Sequence, residues 1–122
     1  MKVKFSRLKK TWLIDLDGTI IEHNSHINGT NKLLPGVKKF WKKINKKDII
    51  IILTARESKY RMKTIKFLKD NNLRYNKILF DLNVGERILI NDKKPDGLKT
   101  SVSINVKRNK GLNDINFIYK DK

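Results

Sequence analysis

Several residue types that define particular classes of protein are missing from this chain of 122 residues. Cysteine is absent, which excludes disulfides and thiolate metal sites and is compatible with a reducing compartment. No apolar run approaches the roughly 18 residues that a membrane span requires. Asp15 and Asp17 interrupt the apolar stretch behind the basic N-terminus, so a secretory signal is not expected either. Without a repeat, a linker or a domain boundary, the sequence predicts one cytoplasmic domain that does not enter a membrane.

Acidic residues are also scarce: the chain has 12 acidic and 29 basic residues. The formal net charge is therefore +17. Such a charge is typical of a surface that binds polyanions, so a nucleic-acid partner is one interpretation. The other interpretation is coding bias, because lysine, asparagine and isoleucine are all abundant and AT-rich codons supply them. Since the lysines are spread along the chain, we favour coding bias, although the positive field would still attract a phosphorylated substrate.

The first third of the chain predicts a strand, a flap and a helix, in that order. Residues 11–16 are apolar and end in a turn signal, as a short buried strand does. The stretch "SHINGTNKLLPG" contains the tight-turn signal Asn28-Gly29 and predicts a short hairpin or an irregular flap. A helix is expected to open at Pro35 and Gly36. Its apolar face has helical spacing and consists of Val37, Phe40, Trp41 and Ile44.

The rest of the chain alternates further strands with a second helix. In "DIIIILTAR", the apolar residues 49–53 predict a strand buried on both faces, as in a parallel sheet covered by helices. A second helix is expected at about 57–71, and further strands at 77–80, 87–92 and 101–106. This alternation predicts an α/β fold with a mostly parallel sheet and right-handed crossovers.

Acidic and hydroxyl side chains follow three of the predicted strands where each strand ends. The first strand ends in "DLDGT", the second in "TAR" and the fourth in "ND". Because ligands bind beyond the carboxyl ends of parallel strands, we expect these side chains to converge on one rim. They are Asp15, Asp17, Thr54 and Asp92. Three carboxylates repel each other unless a cation lies among them, and Mg²⁺, which prefers oxygen ligands, fits better than zinc or calcium.

Phosphoryl transfer suits this set of side chains. Asp15 can attack phosphorus as a nucleophile and form an aspartyl-phosphate. Asp17, two residues further on, can exchange protons with the leaving group and then with water. Gly18 permits a sharp turn whose amides, including that of Thr19, can donate to phosphate oxygens together with the Thr54 hydroxyl. Asp92 is expected to hold the metal ion.

These motifs resemble those of the haloacid dehalogenase superfamily of phosphohydrolases, from about residue 10 to residue 100. "DLDGT" is similar to its first motif, D-x-D-G-T, and Thr54 after "IIIIL" is similar to its second. "NDKKPD" resembles the fourth motif, with Asn91 where glycine is common. The resemblance implies a Rossmannoid three-layer sandwich. It also implies three metal ligands, which are Asp15, the backbone carbonyl of Asp17, and Asp92.

The third motif of that family is a lysine with little local signature. Lys77, just before the third predicted strand, is the candidate for this catalytic lysine, and the alternatives are Lys69, Lys93 and Lys94. Arg56 either contacts the substrate phosphate or is a solvated residue at the start of the helix. We favour the contact with the substrate. Thr54 also has a structural alternative, because with Glu57 three residues later it can form a capping box at the start of the helix.

Family members often carry a cap domain, and this chain has no room for one. The interval 20–48 holds only the flap and one helix, and 55–76 holds only one helix. The resemblance therefore implies a capless phosphatase, which acts on a large substrate or borrows a lid from a second subunit in a homo-oligomer. His23 and His26 lie in the flap and are expected at the surface. We expect the substrate to be a sugar phosphate of polysaccharide biosynthesis. The sequence also allows two other functions: a phosphatase for nucleotides or nucleic-acid ends, and a non-catalytic protein that binds nucleic acid.

Overall fold

Two parallel sheets form the framework of the protein, whose computed structural model describes residues 1–120. The elements are β1 (Lys2–Phe5), β2 (Thr11–Asp15), α1 (Val37–Lys43), β3 (Ile49–Leu53), a 3-10 turn (Ser58–Tyr60), α2 (Arg61–Asp70), β4 (Lys77–Leu79) and β5 (Asn116–Tyr119). One sheet has the order β2-β3-β4, and the other pairs β1 with β5. The pairings are parallel in both sheets, so the predicted α/β class with parallel strands is confirmed.

Helix α1 forms where the sequence predicts it and buries the predicted face. Gly36 precedes it in the left-handed conformation, with φ +77°. The buried side chains are Val37, Phe40, Trp41 and Ile44. The indole N–H of Trp41 donates to the carbonyl oxygen of Arg74 at 2.9 Å, so the one polar atom of this face is satisfied. Within residues 1–120, neither helix is long and apolar enough to cross a membrane.

The pairing register places three strand ends on one edge of the larger sheet. In the pairing of β2 with β3, Thr11 lies beside Ile49 and Asp15 lies beside Leu53. In the pairing of β3 with β4, Leu53 lies beside Leu79. The sequence predicts β4 at 77–80. Because parallel strands point the same way, the carboxyl ends of β2, β3 and β4 are neighbours. The residues that follow these ends therefore share one edge of the sheet, which we call the carboxyl edge.

Strand β3 is buried on one face only, so the prediction that both faces are covered is wrong. Ile50 and Ile52 are fully buried in the core shared with α1 and α2, whereas Ile49 is 45% exposed. Leu13 and Leu79 lie on the same side as Ile49 and are 48% and 43% exposed. The connections β2–α1–β3 and β3–α2–β4 each move one strand further across the sheet in the same direction. Because such connections are right-handed, both helices lie on the same face of the sheet. The other face, which we call the open face, stays half exposed to solvent.

The predicted strands at 87–92 and 101–106 are not strands, although the structure describes both stretches. Ile88 and Ile90 are 84% and 91% exposed. Alternating β-branched residues favour a strand, but a strand forms only where a neighbour completes its hydrogen-bond ladder and a core covers one face. These stretches have no such ladder, and β5, which the sequence analysis does not predict, forms instead and pairs with β1.

We expect Ile90→Ser to change the free energy of unfolding by less than about 0.5 kcal/mol, because this side chain is already in water. Truncating the fully buried Ile52 to alanine is expected to lower the free energy of unfolding by about 2–5 kcal/mol. Urea unfolding of the two variants measures this difference. A loss at Ile90 as large as that at Ile52 would mean that 87–92 is a core strand after all.

Candidate active site

The chain turns sharply after β2 and carries two carboxylates on that turn. Asp15 is the last residue of β2, and the Ile20 amide donates back to the Leu16 carbonyl oxygen at 2.9 Å. Gly18 has φ +86°, and a Cβ atom there would lie 3.2 Å from Cγ of Arg108. Any other residue would be strained in this conformation and would press on Arg108, so the turn favours glycine. Arg108 is a basic residue beside the turn that the sequence analysis does not single out.

The flap that the sequence predicts is present after this turn. The Glu22 amide donates to the Lys32 carbonyl oxygen at 2.8 Å, so the chain returns beside itself. The residues between them form an irregular loop of successive turns. His26 lies in this loop, and its Nδ1 atom is 3.8 Å from Oδ1 of Asp17. The flap therefore brings a histidine to the carboxyl edge, which corrects the expectation that His26 is a surface residue.

Asp15 lies half exposed at the carboxyl edge and has two partners. The Thr19 hydroxyl donates to Oδ2 of Asp15 at 3.1 Å, and the Arg87 guanidinium donates to Oδ1 at 2.8 Å. The side chains of Asp15 and Arg87 are 37% and 36% exposed. An ion pair with this exposure contributes only about 0–1 kcal/mol, so Arg87 can leave Asp15 at little cost. The sequence gives no local signal for this pair.

Asp17 is held more firmly, by a buried arginine. Nε of Arg56 donates to both carboxylate oxygens at 3.1 and 3.0 Å, and Nη2 donates to Oδ1 at 2.8 Å. The Arg56 side chain is 1% exposed, and it also donates to the side-chain oxygens of Thr64 and Asn31. The guanidinium thus makes its hydrogen bonds within the protein. The contact with substrate that the sequence suggests for Arg56 stays a prediction.

Thr54 follows β3 directly and lies beside Asp17. Its hydroxyl is 3.4 Å from Oδ2 of Asp17 and accepts a hydrogen bond from the Arg56 amide at 2.9 Å. The alternative of a capping box with Glu57 is wrong, because the Thr54 amide donates to the Leu79 carbonyl oxygen at 3.0 Å and the Thr54 hydroxyl accepts from Arg56, not from Glu57. The predicted site residues that meet at this edge are Asp15, Asp17, Gly18, Thr19, Thr54 and Arg56.

Two other predicted site residues do not join this group. Lys77 is exposed and begins β4, at the amino end of that strand. Asp92 lies in the exposed stretch 83–97. Within residues 1–120, no three side chains of Asp, Glu, His or Cys come together in a way that could hold a metal ion, so Asp92 does not complete a set with Asp15 and Asp17. The catalytic role of Lys77 and the metal-binding role of Asp92 stay predictions from the sequence.

His26 is electrostatically coupled to the site. Burial lowers the pKa of His26, and the positive charge of Arg56 lowers it further. The negative charge of Asp17 raises this pKa, and His23 lowers it by the smallest of the four effects. The ring packs edge-on against Tyr60, with the ring centroids 4.6 Å apart. Since an ordinary histidine has a pKa of about 6.5, His26 is neutral at pH 7. No sequence signal separates His26 from His23, because both lie in the same flap.

The lowered pKa of His26 predicts a loss of stability at acid pH. Between the folded pKa and the unfolded value of about 6.5, the unfolded chain binds a proton that the folded chain does not, so stability falls as the pH falls. We expect His26→Gln to flatten this decline below about pH 6.5 in urea unfolding measured with EDTA. His23→Gln is the matched control and should keep the decline. The same pH dependence in wild type and His26→Gln would contradict the prediction.

Fold and site together define an α/β protein with two acidic residues at the carboxyl edge of a parallel sheet, each paired with an arginine. Comparisons of the chain with protein-family models, with curated proteins and with solved structures found no match. Its function is therefore inferred from the residues of the site.

Proposed function

We propose that the protein is a magnesium-dependent phosphomonoester hydrolase of the haloacid dehalogenase type, with Asp15 as the nucleophile. The observation that carries this proposal is the meeting of Asp15, Asp17 and Thr54 at the carboxyl edge, in the order and spacing of the first two motifs of that family. Ligands of parallel α/β proteins bind beyond this edge of the sheet. The finer architecture, a three-layer sandwich of that family's kind, belongs to the same proposal.

The reaction requires two displacements at phosphorus. A carboxylate oxygen of Asp15 attacks the phosphorus, the bond from phosphorus to the leaving oxygen breaks, and Asp17 gives that oxygen a proton. Water then attacks the aspartyl-phosphate, its proton passes to Asp17, and the bond to Asp15 breaks to release inorganic phosphate. The half-exposed position of Asp15 supports the nucleophile role. The proton-transfer role of Asp17 rests on the resemblance, because a carboxylate paired with Arg56 must be released and take up a proton before it can donate one.

Arginine side chains, more than turn amides, are the donors available to a substrate phosphate. The amides of Gly18 and Thr19 donate within the turn, at 2.7 and 3.3 Å, so their proposed donation to substrate requires the turn to adjust. Arg87 contacts Asp15, and Arg108 lies beside Gly18. We infer that these two guanidinium groups offset the phosphate charge, since arginine matches phosphate oxygens in shape and charge.

The oxygen ligands at this edge are of the kind that magnesium takes from proteins. Mg²⁺ uses one or two carboxylates and completes its shell with waters and a substrate phosphate. The residues at this edge that would hold it are Asp15 and the main-chain carbonyl of Asp17. The resemblance adds Asp92, which lies in the exposed stretch 83–97 and would have to approach the edge. Arg87 must first release Asp15, which its exposure allows. When bound, the ion supplies positive charge that offsets the charge of the phosphate.

The short flap supports a capless phosphatase that acts on a large substrate or takes its lid from a second copy of the chain. Only about a dozen residues separate Glu22 from Leu34, which is too few to fold as a cap domain. We keep a sugar phosphate as the proposed substrate, on the resemblance alone.

Hydrolysis of p-nitrophenyl phosphate tests the proposed function. We expect turnover with added Mg²⁺, its loss on addition of EDTA, and its return when Mg²⁺ is restored in excess. A panel of sugar phosphates, nucleotides and oligonucleotides with 3′- or 5′-phosphates then defines the substrate class. A chain that hydrolyses none of these compounds with Mg²⁺, Mn²⁺ or Co²⁺ would contradict the proposal.

A further inference from the structure

A second feature lies at the opposite end of the sheet from Asp15. A cavity of about 160 Å³ opens between the β1–β2 loop, the α1–β3 loop and the end of β5, and we call it the basic cavity. Lys10 and Asp48 directly precede β2 and β3, so the basic cavity lies at the amino ends of these parallel strands. Its lining includes Arg7, Lys9, Lys10, Asn45, Asp48 and Tyr119.

The chain segments around the basic cavity are rich in basic residues and poor in acidic ones. Residues 1–14 contain five basic side chains and residues 36–47, which form α1 and the loop after it, contain six, with no acidic residue in either range. Asp48 is buried, and its two oxygens accept hydrogen bonds from the Lys10 amide and the Trp12 indole N–H, both at 2.9 Å. Asp48 keeps its negative charge, but the three cations of the lining, Arg7, Lys9 and Lys10, outnumber it, so the net charge around the cavity is positive.

An aromatic ring forms one wall of the basic cavity and lies close to two cations. Tyr119 is 37% exposed, and Cζ of Arg7 is 5.6 Å from the centroid of its ring. Nζ of Lys10 is 5.5 Å from the same centroid and is fixed by hydrogen bonds to the carbonyl oxygens of Ser6 and Leu8, both at 2.7 Å. Proteins stack unpaired bases on partly exposed rings and neutralise the adjoining phosphates with nearby cations. Here Arg7 lies over the ring and has to move to a phosphate for a base to stack.

We propose that the basic cavity binds single-stranded nucleic acid, with one base on the Tyr119 ring and the adjoining phosphates on Arg7 and Lys9. The cavity is smaller than the roughly 300–1,000 Å³ of pockets that enclose a whole small ligand, so it suits one unit of a longer chain. Lys46 and Lys47, in the α1–β3 loop, continue the basic surface. The bases of a duplex are stacked on one another and have no free face for the ring, which favours a single strand.

The structure also bears on coding bias as an explanation of the net charge. Coding bias accounts for many lysines, but it gives no reason why one cavity with an aromatic wall should be lined by three basic side chains and a single buried acid. The basic cavity lies away from the carboxyl edge, so nucleic-acid binding there does not depend on the proposed phosphatase activity.

Fluorescence anisotropy with a labelled single-stranded oligo(dT) tests this proposal, measured in EDTA so that no metal-dependent reaction contributes. We expect binding that weakens with salt, with a slope of log K against log salt of about −1.4 for the two phosphate contacts at Arg7 and Lys9. The double variant Arg7→Gln/Lys9→Gln is expected to reduce this slope by about 1.4. The matched control, Lys63→Gln/Lys66→Gln on α2, removes the same charge from exposed positions outside the cavity and should keep the slope.

The stacking part of the proposal has its own pair of variants. Tyr119→Leu is expected to raise Kd roughly tenfold or more, whereas Tyr119→Phe keeps the ring and should bind like the wild type. If Tyr119→Leu does not fold, the two double variants still decide the question. The proposal is overturned if the wild type does not bind, if both double variants lose binding equally, or if the protein binds anionic lipid vesicles and not the oligonucleotide.

Discussion

The variant Asp15→Asn is expected to hydrolyse p-nitrophenyl phosphate at least about 1,000-fold more slowly than the wild type. The amide keeps the size of the side chain and can still accept the Thr19 hydroxyl, but its oxygen is not a nucleophile. The lost ion pair with Arg87 is half exposed and contributes only about 0–1 kcal/mol to stability. A loss of turnover with an unchanged unfolding curve therefore isolates the chemical role of Asp15.

The matched control for this experiment is Asp70→Asn, which makes the same change of charge at an exposed position of α2 paired with Lys66. It should turn over like the wild type. Release of p-nitrophenolate is measured for all three proteins over a range of Mg²⁺ concentrations. Turnover by Asp15→Asn close to the wild-type value would rule out Asp15 as the nucleophile, and with it the proposed covalent intermediate.

Arg56→Met is expected to lower the free energy of unfolding by about 3–5 kcal/mol. The substitution leaves the mostly buried carboxylate of Asp17 without its main partner. It also removes hydrogen bonds to the side chains of Thr64 and Asn31. A buried carboxylate that loses its cation is far more destabilising than an exposed one, because water cannot replace the lost partner.

Arg87→Met is the matched control, since it removes an arginine from the neighbouring but half-exposed carboxylate, and it should change stability by no more than about 1 kcal/mol. The double variant Asp17→Asn/Arg56→Met should lose less stability than the sum of the two single variants, because the charge left unpaired by Arg56→Met is gone. Urea unfolding of the wild type, the three single variants and the double variant measures these differences. Equal effects of Arg56→Met and Arg87→Met would show that Arg56 is not committed to Asp17, and would support its role in substrate binding.

The parts of the fold that depend on nearby residues could be predicted from the sequence. The apolar face of α1 repeats at helical spacing, and β2 and β3 are apolar runs that end at turn signals. The turn at Gly18 and the flap follow from short local patterns as well. The neighbours Asp15, Asp17 and Thr54 could be anticipated because parallel strands bring their carboxyl ends to one edge.

The parts that depend on distant partners could not be predicted. Residues 87–92 and 101–106 have the composition of strands, but a strand also needs a neighbour, and neither stretch has one. Residues 116–119, which the sequence does not predict as a strand, pair with β1 instead. Arg87 meets Asp15 across 72 residues and Arg56 meets Asp17 across 39. A single sequence contains the charges of these residues but no information on which of them become partners.

The open face of the larger sheet affects how the protein behaves with environment-sensitive dyes. Leu13, Ile49 and Leu79 present apolar surface to water in the native state. Dyes such as anilinonaphthalene sulfonate fluoresce on surface of this kind, which is usually taken as the mark of a partly unfolded chain. For this protein we therefore expect dye fluorescence from the folded sheet, so unfolding should be followed by loss of circular dichroism and not by dye binding alone.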